Sequence, residues 1–207
     1  MAEVKQEPRL SRVAYVVVRL LIGSGDYLLF RSHAKWGDWS LVGGHVEPEE
    51  LKDWESAACR ETEEEMPPLR CGLDFEVESL TTGISRWGPK VSKSAGGVLT
   101  EYETRWFSLR FKRDPSEFLY CQSPKDFLLV EWKRLEESRR DEDISDAIDF
   151  LRSLLPEGLE DIPYAWSKPL ALERLPILFR NIRERKRVSD DKRTDQEAAA
   201  SFPPVGE

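Results

Sequence analysis

Three glutamates at helical spacing are the residues of this chain most suited to chemistry. Glu61, Glu64 and Glu65 lie in one short run, and residues three or four apart share a face of an α-helix within about two turns. Like charges so close together repel each other. A hard divalent cation, which prefers oxygen ligands, would turn that repulsion into attraction. The spacing therefore predicts a site for a divalent metal ion.

A glutamate run alone is more often a solvated helix face than a metal site, so the residues ahead of it must decide between the two interpretations. The glycine pair Gly43-Gly44 opens a predicted turn that runs to Pro48. Glycine lets a ligand approach the main chain closely. A peptide carbonyl or amide from this turn can therefore join the carboxylates around one ion, which favours the metal site.

The same residues resemble the Nudix box, the motif of the Nudix hydrolases, written G-x5-E-x7-R-E-U-x-E-E-x-G-U with U an aliphatic residue. The matching positions are Gly44, Glu50, Arg60-Glu61 and Glu64-Glu65. The approach to the box, residues 39–48, is also similar to that of the family. Two half-motifs in the correct order make this resemblance specific.

The resemblance implies a metal-dependent enzyme that hydrolyses a phosphoanhydride bond in a nucleoside diphosphate linked to another moiety X. Mg²⁺ or Mn²⁺ is the implied cofactor, because a bound cation can withdraw charge from phosphates and activate water. By the same resemblance, Glu61, Glu64, Glu65 and the Gly44 carbonyl are metal ligands. Glu64, Glu65 and Arg60 are carried over as catalytic residues, with Arg60 orienting a box carboxylate. The alternative for Arg60 is a surface ion pair of little energetic value.

The general base is less well defined by the sequence. Glu65 is the first candidate. Glu103 and its neighbour Glu101 flank a predicted strand start where some family members keep a base, and either could equally be a solvated edge residue. Four side chains are candidates for contacting the base or the phosphates of a substrate: Arg31, Trp36, Arg86 and Trp87. With seven tryptophans in the chain, packing is the alternative role for any one of them.

The box departs from the family pattern by a two-residue insertion. Nine residues separate Glu50 from Arg60 where the pattern has seven, and two extra residues would rotate a continuous helix by about 200°. Glu50 would then point away from the site. We expect the insertion to be absorbed before the helix, with Asp53 or Ser56 as its N-cap.

The late glycine of the box is replaced by Pro67, and Pro68 follows it. Because proline disfavours a helical conformation in the residue before it, the helix is expected to end near Met66. These departures leave a second class of function open, a Nudix-fold module that binds a nucleotide ligand and acts as a sensor or regulator. We favour the enzyme because the metal-binding carboxylates are intact.

Composition limits the remaining alternatives. The 207 residues are 40% hydrophobic, which suffices for one domain with a core. No apolar run is long enough for a membrane span, and the first residues lack the layout of a signal peptide, so we expect a cytoplasmic protein. Cys59, Cys71 and Cys121 have no metal-site spacing and are expected to be reduced. The net charge of -8 argues against general nucleic-acid binding. The partner that the Nudix resemblance implies is a nucleotide-type small molecule.

Strand patterns surround the box helix. Apolar and β-branched runs predict strands over residues 13–21, 27–31, 39–42, 75–84, 97–102, 105–111 and 127–135, with a loop at 87–89. Asp143 is expected to cap a second helix that ends at residue 155. We therefore expect an α/β fold, namely the α/β/α sandwich with a mixed sheet that the Nudix resemblance implies.

The expected organisation has four parts. An N-terminal arm covers residues 1–10, the Nudix domain 11–157, a helical extension 158–187 and a disordered tail 188–207. The extension carries a stripe of apolar residues at helical spacing: Leu172, Leu175, Phe179 and Ile182. This helix would pack on the domain or on the second subunit of a homodimer, and a basic phosphate-binding patch is the alternative.

Overall fold

A computed structural model describes residues 7–33, 37–92, 95–123, 125–140, 142–154, 161–171 and 175. The strands are β1 (Arg9–Val17), β2 (Arg19–Ile22), β3 (Gly25–His33), β4 (Asp38–Ser40), β5 (Val42–His45), β6 (Phe75–Ser79), β7 (Ser85–Ser92), β8 (Val98–Phe111), β9 (Phe127–Glu131) and β10 (Trp166–Leu170). The helices are α1 (Trp54–Glu65), α2 (Ser116–Tyr120), α3 (Leu135–Ser138) and α4 (Glu142–Leu154). Short 3₁₀ turns cover Pro48–Glu50 and Trp132–Arg134.

Two five-stranded sheets organise these elements. In the first sheet the order is β5-β1-β8-β6, and β7 pairs with the N-terminal half of β8. β1 and β8 run parallel, whereas β5, β6 and β7 join antiparallel, so this sheet is mixed, as predicted. In the second sheet the order is β10-β2-β3-β4, and β9 pairs with β3.

Helices pack on both faces of the first sheet, as expected for an α/β/α sandwich. Neighbouring residues of a strand face opposite sides, and Trp106 and Phe107 of β8 belong to two different cores. Phe107 shares its core with Ala58 of α1. Trp106 shares the other core with Ile148 of α4. This layering confirms the predicted α/β class and places α1 and α4 on opposite faces.

The strands predicted at 13–21, 97–102 and 105–111 begin and end at other residues in the structure. The run 13–21 is interrupted at Val18, whose carbonyl accepts a hydrogen bond from the Leu29 N–H at 3.0 Å, so β1 and β2 belong to different sheets. The segments 97–102 and 105–111 form one continuous strand, β8. A single long strand allows β8 to pair with β6 and β7 at its two ends.

The glycine and proline residues predict turns at two places where the structure has strands. Gly43 and Gly44 lie within β5 and pair with β1. The loop predicted at 87–89 was wrong, because these residues belong to β7, whose register shifts between Trp87 and Lys90. Proline lacks an N–H donor but is tolerated on an edge strand or at a bulge, and β7 provides both settings.

Other predicted limits shift by a few residues. The strand predicted to end at residue 84 ends at Ser79, and the one predicted to end at residue 135 ends at Glu131. The helix α4 begins at Glu142, so Asp143 lies in its first turn and not at its cap. No helix within the described ranges is long and apolar enough to cross a membrane.

A strand occupies part of the segment predicted as a helical extension. β10 pairs in parallel with β2, and the Gly23 N–H donates to Leu170 O at 2.8 Å. Ala165 links the two sheets, since its N–H donates to Arg19 O at 2.7 Å and its carbonyl accepts from the Phe111 N–H at 2.8 Å. The prediction of a helix over 158–187 is therefore wrong for Trp166–Leu170.

Arg19 fixes this segment to the second sheet. Its Nη1 donates to Ile162 O at 2.6 Å and its Nη2 to Asp26 Oδ2 at 2.6 Å. The guanidinium carbon lies 4.9 Å from the Trp132 ring centroid and 4.3 Å from that of Tyr164. Of the apolar stripe predicted nearby, Leu175 is buried. The remainder of the stripe and the predicted tail 188–207 lie outside the described residues.

Cys59 and Cys71 form a disulfide bond, with their Cα atoms 5.7 Å apart. The expectation of reduced cysteines does not hold for this pair. The chain reverses after α1, which brings Cys71 beside the helix, and the Cys71 N–H donates to Glu63 Oε1 at 2.8 Å. The spacing of the cysteines in the sequence does not predict this reversal of the chain. Cys121 is free and exposed.

Candidate active site

The insertion ahead of α1 is absorbed outside the helix, as predicted. Pro48–Glu50 form a 3₁₀ turn, and α1 begins only after Asp53. Asp53 Oδ1 accepts a hydrogen bond from the Ser56 N–H at 3.1 Å, so Asp53 is the N-cap, the first of the two candidates. The helix ends at Glu65 with Met66 as its C-cap, which confirms the predicted end.

Arg60 connects the helix to the strand beside it. Its Nε and Nη2 donate to the two carboxylate oxygens of Glu50, each at 2.9 Å, so Glu50 lies beside α1 despite the insertion. These bonds lower the pKa of Glu50. Arg60 Nη2 also donates to His45 O, and Nη1 donates to Glu61 Oε1, each at 2.9 Å. Arg60 thereby holds the Glu61 carboxylate in one orientation against β5.

Glu61 packs directly on Gly44. A Cβ built at residue 44 would lie 2.7 Å from Glu61 Oε1 and closer still to Cδ and Oε2. A side chain at this position would therefore displace the carboxylate, which explains the glycine. Burial raises the pKa of Glu61 in spite of its bond to Arg60, because desolvation disfavours the charged form.

Glu65 is the most buried of the three box glutamates, with 9% of its side chain exposed. Its Oε2 accepts from the Gly43 N–H at 2.9 Å, and its Oε1 accepts from Arg31 Nη1 at 2.5 Å. Burial nevertheless raises the pKa of Glu65 to about 7, since desolvation outweighs these attractions. Gly43 has a φ of 127°, a conformation that favours glycine, so glycine is required at this position of the pair as well.

Glu64 lies apart from the other two carboxylates. Its side chain is 60% exposed, and Oε1 lies 3.4 Å from Arg60 Nη1. Viewed along the helix axis, Glu64 lies about 60° from Glu61 in one direction, and Glu65 lies about 40° from Glu61 in the other. Glu61 therefore occupies the middle of the face, and Glu64 and Glu65 are about 100° apart. Among the described residues, no three acidic, histidine or cysteine side chains converge as a ready-made metal site. Of the three glutamates, Glu61 and Glu65 lie against β5, and Glu64 does not.

Glu61 and Glu65 line a cavity of about 430 Å³, a volume within the range of small-ligand sites. The other lining residues come from β1, β3 to β5, β7, β8 and α4, with one residue between β4 and β5: Val13, Tyr15, Arg31, His33, Asp38, Trp39, Ser40, Leu41, Gly43, Gly44, His45, Trp87, Lys90, Val91, Ser92, Tyr102, Asp146, Ala147 and Phe150. The cavity therefore extends from the glycine pair to the elements β7 and α4.

Aromatic side chains form the wall at β7 and α4. The Phe150 ring centroid lies 4.7 Å from that of Trp87 and 4.9 Å from that of Tyr15. The ring centroid of Trp87 lies 5.5 Å from that of Tyr102. Burial raises the pKa of Tyr15, and Tyr102 and Glu65 raise it further, so the Tyr15 hydroxyl keeps its proton at neutral pH. An acidic region and an aromatic wall thus share one cavity.

The acidic region fits a hard divalent cation in the chemistry of its donors. Glu61 and Glu65 offer carboxylate oxygens, and the peptide of Gly44 offers a carbonyl, the ligand types that Mg²⁺ and Mn²⁺ prefer. Both carboxylates are partly buried, and burial raises the pKa of each. A positive partner in the cavity would favour their charged forms.

Glu103, the alternative base, lies outside the cavity, on the face of the sheet opposite to Tyr102. Its carboxylate accepts from Arg12 Nε and Arg86 Nη2, each at 2.9 Å. Neighbouring strand residues face opposite sides, and Glu103 follows Tyr102, which lines the cavity. Neither Glu103 nor Glu101 is among the lining residues.

The four candidates for substrate contact are separated by the structure. Arg31 and Trp87 line the cavity. Arg86, by contrast, is exposed and ion-paired with Glu103, so it lies away from the acidic region. Trp36 lies outside the described residues. Trp87 therefore lines the cavity from a strand, not from the loop predicted for it.

Most of the lining residues were not predicted from the sequence, among them Lys90, Asp146 and Phe150. Asp146 and Phe150 are four apart on α4, and this spacing places them on one side of the helix. That signal was available, but nothing local indicates that α4 faces β7. Their meeting depends on the tertiary fold.

Comparison with known proteins gives a family match. The family model of the NUDIX domain matches residues 10–154, more than half of the chain. Among solved structures, the Ap4A hydrolase of C. elegans is 18% identical, covers 72% of this chain and 98% of its own, and has a TM-score of 0.47. NrtR of Shewanella oneidensis is 15% identical, with 87% and 85% covered and a TM-score of 0.48. RenU, a Nudix hydrolase of M. Smegmatis, is 18% identical, with 73% and 90% covered and a TM-score of 0.42. No curated protein matches the sequence.

Proposed function

Because this chain belongs to the NUDIX domain family of pyrophosphohydrolases, we propose that it hydrolyses a phosphoanhydride bond in a nucleoside diphosphate derivative with Mg²⁺ or Mn²⁺ as cofactor. One observation carries the proposal. Two partly buried carboxylates, Glu61 and Glu65, lie against the glycine pair of β5 and open into one cavity. Oxygen donors in such a setting suit a hard cation that also binds phosphate.

The cation would be held by Glu61, Glu65 and the Gly44 carbonyl, and Glu64 would join by turning away from Arg60. When bound, it withdraws negative charge from the phosphate oxygens and makes water more acidic. Arg60 acts as a positioning residue, because its other hydrogen bonds fix the guanidinium that orients Glu61.

We assign proton acceptance to Glu65. The attacking water must lie in the cavity. Glu65 lines that cavity, whereas Glu103 does not line it and is held by two arginines. The water oxygen forms a bond to phosphorus and its proton passes to Glu65 Oε1. The bond from phosphorus to the bridging oxygen breaks, and that oxygen leaves with the electron pair as part of the second phosphate-containing product. Arg31 contacts the same Oε1 and can bind a phosphate oxygen from within the cavity.

The aromatic wall indicates where the nucleoside would bind. Trp87 and Tyr102 line the same cavity as the carboxylates, and nucleobases stack on aromatic side chains. With the phosphates near Glu61, the base would lie toward β7 and α4. Trp87 thereby serves as a contact for the base.

The test is hydrolysis of a substrate panel with each metal. Nucleoside triphosphates, nucleotide sugars, ADP-ribose and dinucleoside polyphosphates would be supplied with Mg²⁺ or Mn²⁺, and phosphate-containing products would be measured. Glu61→Gln and the double variant Glu64→Gln with Glu65→Gln should reduce turnover by roughly 100-fold or more, as loss of a charge-stabilising group does. Both should weaken Mn²⁺ binding measured by electron paramagnetic resonance.

Glu55→Gln is the matched control. Glu55 lies in the first turn of α1, is exposed and does not line the cavity, so the variant should retain turnover and metal binding. Nucleotide binding without turnover under any metal would refute the hydrolase and support the sensor module. Full activity in the Glu61→Gln variant would refute the proposed ligand set.

A further inference from the structure

The wall of the cavity formed by β7 and α4 carries an ion pair that the proposed reaction does not use. Lys90 Nζ lies 3.2 Å from Asp146 Oδ2. The same ammonium lies 4.1 Å from the ring centroid of Trp87. Both residues line the cavity, so a donor and an acceptor stand side by side at the aromatic wall.

The pair is positioned to change partners. The Lys90 and Asp146 side chains are 37% and 77% exposed, and exposed ion pairs contribute little to stability because water and entropy offset the attraction. Replacing this contact with hydrogen bonds to a ligand therefore costs little.

The neighbouring aromatic rings favour a planar ligand group. Trp87 is flanked by Phe150 at 4.7 Å and by Tyr102 at 5.5 Å between ring centroids. A heteroaromatic ring that stacks on Trp87 would displace the Lys90 ammonium from the ring face. The ammonium and the Asp146 carboxylate would then meet the edge of that ring, where nucleobases carry adjacent acceptors and donors.

The distance from the carboxylates suits such a ligand. Counted across the first sheet, β5 and β7 are separated by two strands, and three strand spacings amount to about 14 Å. A nucleoside with its diphosphate can bridge this separation. The phosphates would then lie near Glu61 while the base reaches Trp87.

We propose that Lys90 and Asp146 are specificity-determining residues that recognise the edge of the substrate's nucleobase. Lys90 Nζ donates to a ring nitrogen or carbonyl oxygen, and the Asp146 carboxylate accepts from the adjacent amino or ring N–H group. The inference rests on the proposed function for the presence of a nucleotide in the cavity. It adds the class of group that the aromatic wall selects, a base with a donor next to an acceptor.

The experiment compares two bases that differ by one amino group. The 5′-triphosphates of adenosine and of purine riboside, which lacks the amino group, are assayed with the full chain and Mg²⁺. The wild type should prefer the adenine compound in kcat/KM by roughly 10- to 100-fold, the scale of one good base-edge contact. Asp146→Ala should bring this ratio close to unity, and Lys90→Met should lower it.

Two controls match these variants. Asp149→Ala removes an exposed carboxylate of α4 that pairs with Arg139, and Lys168→Met removes a lysine beside a tryptophan outside the cavity. Both should keep the wild-type ratio. A general loss of structure would lower turnover of both compounds equally, so the ratio separates recognition from stability.

The outcome is independent of hydrolysis. If neither compound is hydrolysed, the same ratio is taken from dissociation constants measured by tryptophan fluorescence, and the full substrate panel decides the proposed function separately. A wild-type preference that disappears in Asp146→Ala supports the inference by either measurement. An unchanged ratio in Asp146→Ala and Lys90→Met, or the absence of binding by both compounds, overturns it.

Discussion

Replacement of Gly44 by alanine should separate catalysis from folding. The backbone of Gly44 is not in the left-handed region, so alanine can adopt its conformation. The added methyl group would meet the carboxylate of Glu61 and no backbone atom among its three nearest neighbours. A carboxylate at the end of a flexible side chain can move at small cost in stability. The fold should therefore survive while the site is disturbed.

The size of the effect follows from the distance between the two groups. The new carbon would lie 2.7 Å from Glu61 Oε1, whereas non-bonded carbon and oxygen atoms settle near 3.5 Å, so the carboxylate must retreat by roughly 1 Å. A misplacement of about 1 Å at a reacting centre can cost about 100-fold in rate. We expect kcat/KM to fall by about that factor, or about 2.7 kcal/mol of transition-state stabilisation.

The assay combines activity, metal binding and stability. Hydrolysis of the best substrate and Mn²⁺ affinity are measured for the wild type, Gly44→Ala and Gly83→Ala, and thermal unfolding is followed by circular dichroism. Gly83 is the control, because a Cβ there meets nothing within 4 Å. Gly43→Ala offers a contrast, since its Cβ would collide with Ala14 O at a positive φ and should destabilise the fold.

Two results for Gly44→Ala would contradict this prediction. If Gly44→Ala unfolds at the wild-type temperature and keeps kcat/KM within about threefold, the position of the Glu61 carboxylate against β5 does not matter to the reaction. The proposed ligand set would then lose its central member. Loss of activity together with loss of the fold would contradict the claim that only a mobile side-chain end is displaced.

Three further predictions concern stability. Arg19→Met should lower the free energy of unfolding by about 2 to 4 kcal/mol, because it leaves the buried carbonyl of Ile162 and the partly buried carboxylate of Asp26 without their partner. The free energy is measured by urea titration. Arg110→Met, at an exposed site, is the control and should have little effect. Cys71→Ala should cost about 2 to 4 kcal/mol under non-reducing conditions by releasing the loop closed by the disulfide, and equal stability with and without a reducing agent would refute this. Asp53→Ala should destabilise α1. Hydrogen bonds from Ser56 lower the pKa of Asp53, so the wild-type advantage should be present above the unfolded pKa of about 3.9 and be lost as pH falls through the lower folded pKa. Unfolding titrations at several pH values would show whether the two proteins converge in acid.

The parts of the site that depend on local spacing were predictable. The N-cap at Asp53, the helix end at Met66 and the common face of Glu61 and Glu65 follow from contacts within a few turns of one helix. Glu64 shows the limit of that reasoning, because a spacing of three or four residues fixes the neighbours on a helix but not which of them faces the strand.

The parts that depend on distant segments were not predictable. The wall formed by Trp87 and Asp146 joins residues far apart in the chain, and the disulfide of Cys59 needs a reversal that no local pattern specifies. The Gly88-Pro89 pair predicts a loop, because both residues usually interrupt strands. An edge strand with a shifted register accommodates them, and edge positions are decided by the sheet as a whole.

The pairing of β10 with β2 matters to anyone who shortens this protein for expression. The family match stops at residue 154, which invites a truncation there. Such a truncation would remove the hydrogen-bond partners of Arg19, Gly23 and Phe111 and bare one edge of the second sheet. Exposed strand edges recruit other chains and lead to aggregation. A shortened version should therefore retain the sequence to at least residue 171, beyond the point that similarity alone would suggest.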